Sequence, residues 1–148
     1  MRNKIFAGLA IVIAIGVGAA LAIPQSRMYV GAYVGDTVSQ YSLGKSLIQK
    51  HDKVSVRKGL VWLETAALKG NTDAQYLLGS TYAYGEIVER NFSLAAKWLK
   101  MAADGHNVRA CASLATLYKM GLGVEKNENE AQRLLKYCRA RGEHGSTE

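Results

Sequence analysis

Residues 71–105 read NTDAQYLLGSTYAYGEIVERNFSLAAKWLKMAADG, and the fold of the chain is decided there. The first half, TDAQYLLGSTYAY, has apolar side chains three and four apart, and so does the second, FSLAAKWLKMAA. That spacing gives each half one apolar stripe along a helix. Between them stands GEIVERN, residues 85–91. Its leading glycine supplies the left-handed residue that ends a first helix. The unit is a helix, a turn, a helix and a second turn.

The same unit stands on both sides of this stretch. Gly35, Gly70, Gly105 and Gly142 are separated by 35, 35 and 37 residues. Upstream, DTVSQYSLGKSL from Asp36 aligns Gln40-Tyr41 with Gln75-Tyr76. Downstream, HNVRACASLATLY from His106 aligns Leu114 with Leu43 and Leu78. Gly44, Gly79 and Ala115 share the next position, where a small residue lets a neighbouring helix come close. Leu47, Tyr82 and Tyr118 share another, as do Trp62, Trp98 and Leu134, and the pairs Ala66-Ala67 and Ala102-Ala103. One such hairpin cannot bury its apolar face alone; three side by side share one continuous core. The spacing therefore predicts an all-α solenoid of three hairpins, over residues 36–70, 71–105 and 106–142. The last helix, roughly 128–141, is wetter, with Gln132, Arg133, Lys136 and Arg139, and reads as a cap on the stack. Residues 143–148 read as a polar tail.

DAQYLLGSTYAYG, AAKWLKMAADG and LATLYKMGLGVEKNENEA resemble the Sel-one-like repeat, a relative of the tetratricopeptide repeat. The resemblance covers residues 36–142. It implies a right-handed stack of helix pairs acting as adaptor, assembly factor or interaction module, in many bacterial members within the cell envelope. It brings no shared catalytic residues. The first unit departs from the pattern, with Lys50 in place of the turn glycine and HDKVSVRK in place of the usual turn.

Ahead of the repeats, residues 5–23 run without a charge after Arg2 and Lys4. A helix of that length spans about 30 Å, the thickness of a bilayer's hydrocarbon core. Two readings stand for residues 1–26: a membrane anchor ended by Pro24, or a signal peptide cleaved at Ala20-Leu21-Ala22. Both carry the rest of the chain outward, because Arg2 and Lys4 prefer the cytoplasmic side. The expected location is the cell envelope: anchored in the inner membrane with the repeats facing the periplasm or exterior, or released to the periplasm. Residues 27–35 read as a linker. Ala10, Ala14, Gly18 and Ala22, four apart, form a stripe of small residues along the apolar run.

The chain has 148 residues and a formal net charge of +7, with 21% charged and 49% hydrophobic residues. This excludes a disordered chain and fits one domain. Arg2 and Lys4 take two of its nineteen basic residues, leaving seventeen against twelve acidic ones beyond the apolar run. They are scattered singly, and export removes nucleic acid as a ligand; anionic headgroups or an acidic protein suit the charge better.

No catalytic constellation is present. Gly44-Lys45-Ser46 imitates the end of a phosphate loop, but Ser39 stands where that loop needs glycine. Ser42-Leu-Gly-Lys45 and Ser55-Val-Arg-Lys58 match S-x-x-K without the elements that accompany it in hydrolases. His51, His106 and His144 have no metal-ligand spacing. Asn91-Phe-Ser93 is a sequon that matters only in a eukaryotic host. The sequence is read as that of a non-enzyme, without cofactor or metal.

Cys111 and Cys138 are the only cysteines and lie equidistant from the turn at residues 121–127. They face one another across the third hairpin, either bridged in an oxidising compartment or as two small buried thiols. A bridge would contribute roughly 3 kcal/mol in the chain-entropy model. The expected function is a repeat scaffold that holds another protein, with Tyr84, Arg109 and Lys119 on first helices as candidate contacts. An immunity or inhibitor protein that occupies an exported toxin is the second reading, and a cell-wall hydrolase a remote third.

Overall fold

The computed structural model describes residues 24–144, which form seven α-helices. They are α1 (Pro24–Val34), α2 (Thr37–Ile48), α3 (Lys53–Leu68), α4 (Thr72–Tyr84), α5 (Phe92–Asp104), α6 (Val108–Met120) and α7 (Glu128–His144). Helices α2–α3, α4–α5 and α6–α7 are antiparallel hairpins, and each hairpin packs on the next. Helix α4 also touches α6 directly, and no pair of second helices approaches as closely. The first helices therefore form the inner layer of the stack and the second helices the outer.

Each helix from α2 onward starts at a residue whose side chain accepts hydrogen bonds from the first turn. Asp36, Asp52, Asn71, Asn91 and Asn107 cap α2 to α6, and Asn127 accepts from Glu130 N at 2.9 Å. These acceptors satisfy N–H groups that a helix leaves unpaired at its start. Two asparagines also tie units together. Asn71 Nδ2 donates to Thr37 O at 3.4 Å, and Asn107 Nδ2 to Thr72 O at 3.5 Å.

The core is built from the shared positions of the repeat. Leu43, Leu78 and Leu114 are buried, and Trp98 lies between hairpins, packed with Leu63, Ala66, Ala67 and Leu78. Trp62 is half-buried over Ala32, Leu43 and Leu47, with the Tyr33 ring edge-on at 5.1 Å. The small position works as read. A methyl on Gly79 would stand 2.6 Å from Leu99 Cγ, and one on Gly44 would stand 2.7 Å from Leu63 Cγ. Gly85 and Gly121, both at φ 70°, end α4 and α6 in the left-handed conformation.

Four expectations change. Residues 27–34, read as linker, are part of helix α1, which packs on α2 as the second helix of a preceding unit would. Its closing hydrogen bond, Asp36 N to Gly31 O at 3.0 Å, repeats as Asn71 N to Ala66 O at 3.0 Å and Asn107 N to Ala102 O at 2.9 Å. The joint after the second unit is His106, at φ 68°, and Gly105 is right-handed at φ −82°. Gly142 lies inside α7 and marks no turn. The first hairpin, without a turn glycine, closes through residues 49–52 alone, with His51 at φ 56° taking the left-handed role.

Among the described residues no helix is long and apolar enough to cross a membrane. The apolar run 5–23 and its small-residue stripe lie outside the described residues. The last helix is wet on its outer face, where Gln132, Arg133, Lys136 and Arg139 are exposed. Among the described residues, nevertheless, no further hairpin covers the third. Leu63, Leu99 and Leu135 occupy one position of the repeat, and their exposures are 0%, 1% and 44%.

Candidate partner-binding surface

Two of the three candidate contacts lie at the C-terminal ends of neighbouring first helices. Tyr84 closes α4 with 66% of its surface exposed, and exposed Lys119 lies in the last turn of the neighbouring first helix α6. Tyr84 is positioned from behind. Arg90 donates from Nε and Nη2 to the Tyr84 carbonyl at 3.3 and 3.1 Å, and its guanidinium lies 5.7 Å from the Phe92 ring centre. Between α4 and α6 is a hollow of about 210 Å³ whose wall includes Tyr84, Ser80, Ser113 and Thr116. Met120, the last residue of α6, is 62% exposed. An exposed ring, an apolar side chain and an ammonium at the ends of these two helices can bind a protein side chain.

Arg109 is placed elsewhere. It stands in the first turn of α6, ten residues before Lys119 and about 15 Å away along the helix. Its Nη2 donates to Asp73 Oδ1 at 2.9 Å, and its guanidinium lies 4.8 Å from the Tyr76 ring centre. Asn107 Nδ2 reaches the same Asp73 oxygen at 3.1 Å. Arg109 thus joins the third unit to the second. Asp73 and Arg109 fill the same position in successive repeats, so their opposite charges were the sequence signal for this contact.

Sequence reasoning also passed over the buried glutamines. Gln40 Nε2 donates to Ala32 O at 3.1 Å and Gln75 Nε2 to Ala67 O at 2.9 Å, each reaching the helix before it. Their alignment was visible; their reach to the preceding unit was not. Cys111 takes this position in the third unit. It lies across the hairpin from Cys138 at a Cα–Cα distance of 6.3 Å, within the span a disulfide bridges, and the sulfurs are joined.

The fragments that imitate active sites are structural. Gly44-Lys45-Ser46 lies within α2, with Gly44 against Leu63. Asn91 of the sequon caps α5 through Leu94 N at 2.9 Å. His106 Nδ1 is 3.1 Å from the Tyr137 hydroxyl. Among the described residues no group of three or more His, Cys, Asp or Glu could hold a metal ion. The perturbed carboxyls are the caps. Hydrogen bonds from the Ser39 hydroxyl and N–H hold Asp36 below its ordinary value, and those from Ser55 do the same for Asp52.

Paired antiparallel helices in a two-layer stack define an α-solenoid of the tetratricopeptide type. The Sel1 repeat model matches residues 37–71, 72–107 and 108–137, and the chain belongs to that family. Residues of the chain are 33% identical over 91 positions to protein sel-1 homolog 2 of Homo sapiens and of Mus musculus. That match covers 61% of this chain and 13% of the relative's length. The crystal structure of a Sel1 repeat protein from Oxalobacter formigenes superposes with a TM-score of 0.69 at 27% identity, over 78% of this chain and 34% of that one. The structure of c5321, a protective antigen of uropathogenic Escherichia coli strains with an SLR fold, gives 0.73 at 27% identity, over 81% and 26%. A Sel1 repeat stack is a scaffold for protein–protein interaction.

Proposed function

We propose that this chain is an envelope scaffold that holds one partner protein on its layer of first helices. The observation that carries the reading is the exposed Tyr84 in the wall of the hollow between α4 and α6, with exposed Lys119 in the last turn of that same α6. Aromatic side chains dominate interface energetics when a partner excludes water from them. Residues 5–23 supply the export signal or anchor, and the small, basic repeat domain follows outside. Membership of the Sel1 repeat family supports the scaffold, and the solved relative described as a protective antigen suits an exported one. No catalytic role is assigned.

The test is photocrosslinking in native membranes from a photoreactive residue at position 84 or 119, with mass identification of the adduct. One recurrent adduct, lost when the probe is moved to outer-layer position 97, is the expected result. Capture of an exported toxin would replace the adaptor by an inhibitor. Equal labelling from positions 84 and 97 would overturn the surface. A reporter fused to the C-terminus checks the location separately: activity in the cytoplasm would reverse it.

A further inference from the structure

Hairpin 1 carries a charge pattern that the other hairpins lack. Its tip, formed by residues 49–52 and the start of α3, exposes Lys50, His51, Lys53, Arg57 and Lys58. The acid among them, Asp52, is engaged as the cap of α3, accepting from Val54 N at 3.1 Å and Ser55 N at 2.9 Å. The tip of hairpin 2 instead carries Glu86, Glu89 and Arg90. That of hairpin 3 carries Glu125 and Lys126, then Glu128 and Glu130 at the start of α7. Positive charge is concentrated on one tip of three.

A concavity accompanies it. His51, Lys53 and Arg57 line an open hollow of about 500 Å³ between hairpin 1 and the connection of hairpin 2, where Glu86 is the acidic member. Val54 stands beside this group, 63% exposed. Topology adds a third observation. Helix α1, with 11 residues, runs back along α2, with 12, so the first residue of α1 lies beside the last residue of α2 and the basic tip. Residue 24, the start of α1, therefore stands at this edge of the domain.

We infer that the tip of hairpin 1 binds the phosphate headgroups of anionic phospholipids. Lys50, Lys53 and Arg57 supply the charge, and Val54 supplies an apolar contact among them. An anionic bilayer surface attracts each nearby basic residue, and the attraction fades within a Debye length. The inference rests on the envelope reading for the presence of a bilayer at that edge. Docking the tip would fix the tilt of the stack and turn its first-helix layer toward a partner alongside the membrane.

The test uses the full chain with phosphatidylcholine vesicles and with vesicles that also contain phosphatidylglycerol. Three forms are compared: the natural chain, a tip variant (Lys50→Glu, Lys53→Glu, Arg57→Glu) and a control of equal charge (Lys97→Glu, Lys126→Glu, Lys136→Glu). The natural chain and the control are expected to bind the anionic vesicles at least about tenfold more tightly than the neutral ones, an increment that added salt removes. The tip variant should lose this increment. Amide exchange in the natural chain should slow at residues 49–58 on anionic vesicles alone, a readout independent of how the variants fold. An equal increment in tip variant and control, or unchanged exchange at 49–58, would overturn the inference. Failure to sediment with neutral vesicles would count against the anchor, and a salt-sensitive anionic increment would still support the tip.

Discussion

The close approach at Gly79 can be tested by adding one methyl group. Gly79→Ala improves the intrinsic propensity of α4 by about 1 kcal/mol. The same methyl would lie 2.6 Å from Leu99 Cγ, 2.9 Å from Leu99 Cδ2 and 3.1 Å from Leu99 N. Leu99 is buried with 1% exposure and cannot swing outward, so either helix or side chain must shift. Overpacking of that kind costs about 1–3 kcal/mol, which matches or exceeds the propensity gain. The expected net effect is a loss of up to about 2 kcal/mol in urea unfolding followed by far-UV circular dichroism. Leu99→Ala alone should lose about 2–5 kcal/mol. In that background the Cγ and Cδ2 contacts are gone, and Gly79→Ala should be neutral or stabilising. In the third unit Ala115 stands where the others have glycine, so one unit already carries the methyl. If Gly79→Ala stabilises the natural chain, or has the same effect in both backgrounds, the packing argument fails.

Other outcomes follow from the caps, the bridge and the joints. Replacing both cysteines by alanine should lower unfolding stability by roughly 3 kcal/mol, since the bridge closes a loop of 27 residues, and reductant should lower the melting temperature of the natural chain alone. Asn107→Ala removes a cap together with bonds to Thr72 O and Asp73, and should cost about 1–2 kcal/mol. Asn91→Ala removes a cap without a crossing bond and should cost less in the same unfolding assay. Asp36 and Asp52 hold their protons less tightly folded than unfolded, so their contribution is complete above the ordinary value of 3.8 and fades as pH falls through it toward the lower folded values. Asp36→Asn with Asp52→Asn keeps cap acceptors but should flatten this acid limb in pH-dependent melting.

The repeat was legible because its small, large and turn positions recur at a nearly constant interval, and each has one physical job. Gly85 and Gly121 announced their turns for that reason. The first hairpin hid its turn because His51, an ordinary side chain, takes the positive φ there. Helix α1 was missed because, among the described residues, no partner helix stands ahead of it to complete a hairpin. Its signal was the small pair Gly31-Ala32 ahead of Gly35, the counterpart of Ala66-Ala67 ahead of Gly70. The surface was half legible. Exposure of Tyr84 and Lys119 follows from their phase on the helices. The occupation of Arg109 by Asp73 and Tyr76 depends on how neighbouring units are set against each other.

The unfilled position at Leu135 bears on how such chains can change length. Each unit binds its neighbour through the same few groups, an asparagine reaching back to a first-turn carbonyl and a leucine closed over by the next first helix. A duplicated unit joined after α7 would find Leu135 waiting to be covered and would bring its own cap. Growth or loss in whole units therefore leaves every other joint intact, while a gain or loss of a few residues breaks one of them. Lineages of this chain should differ in the number of hairpins far more often than in hairpin length.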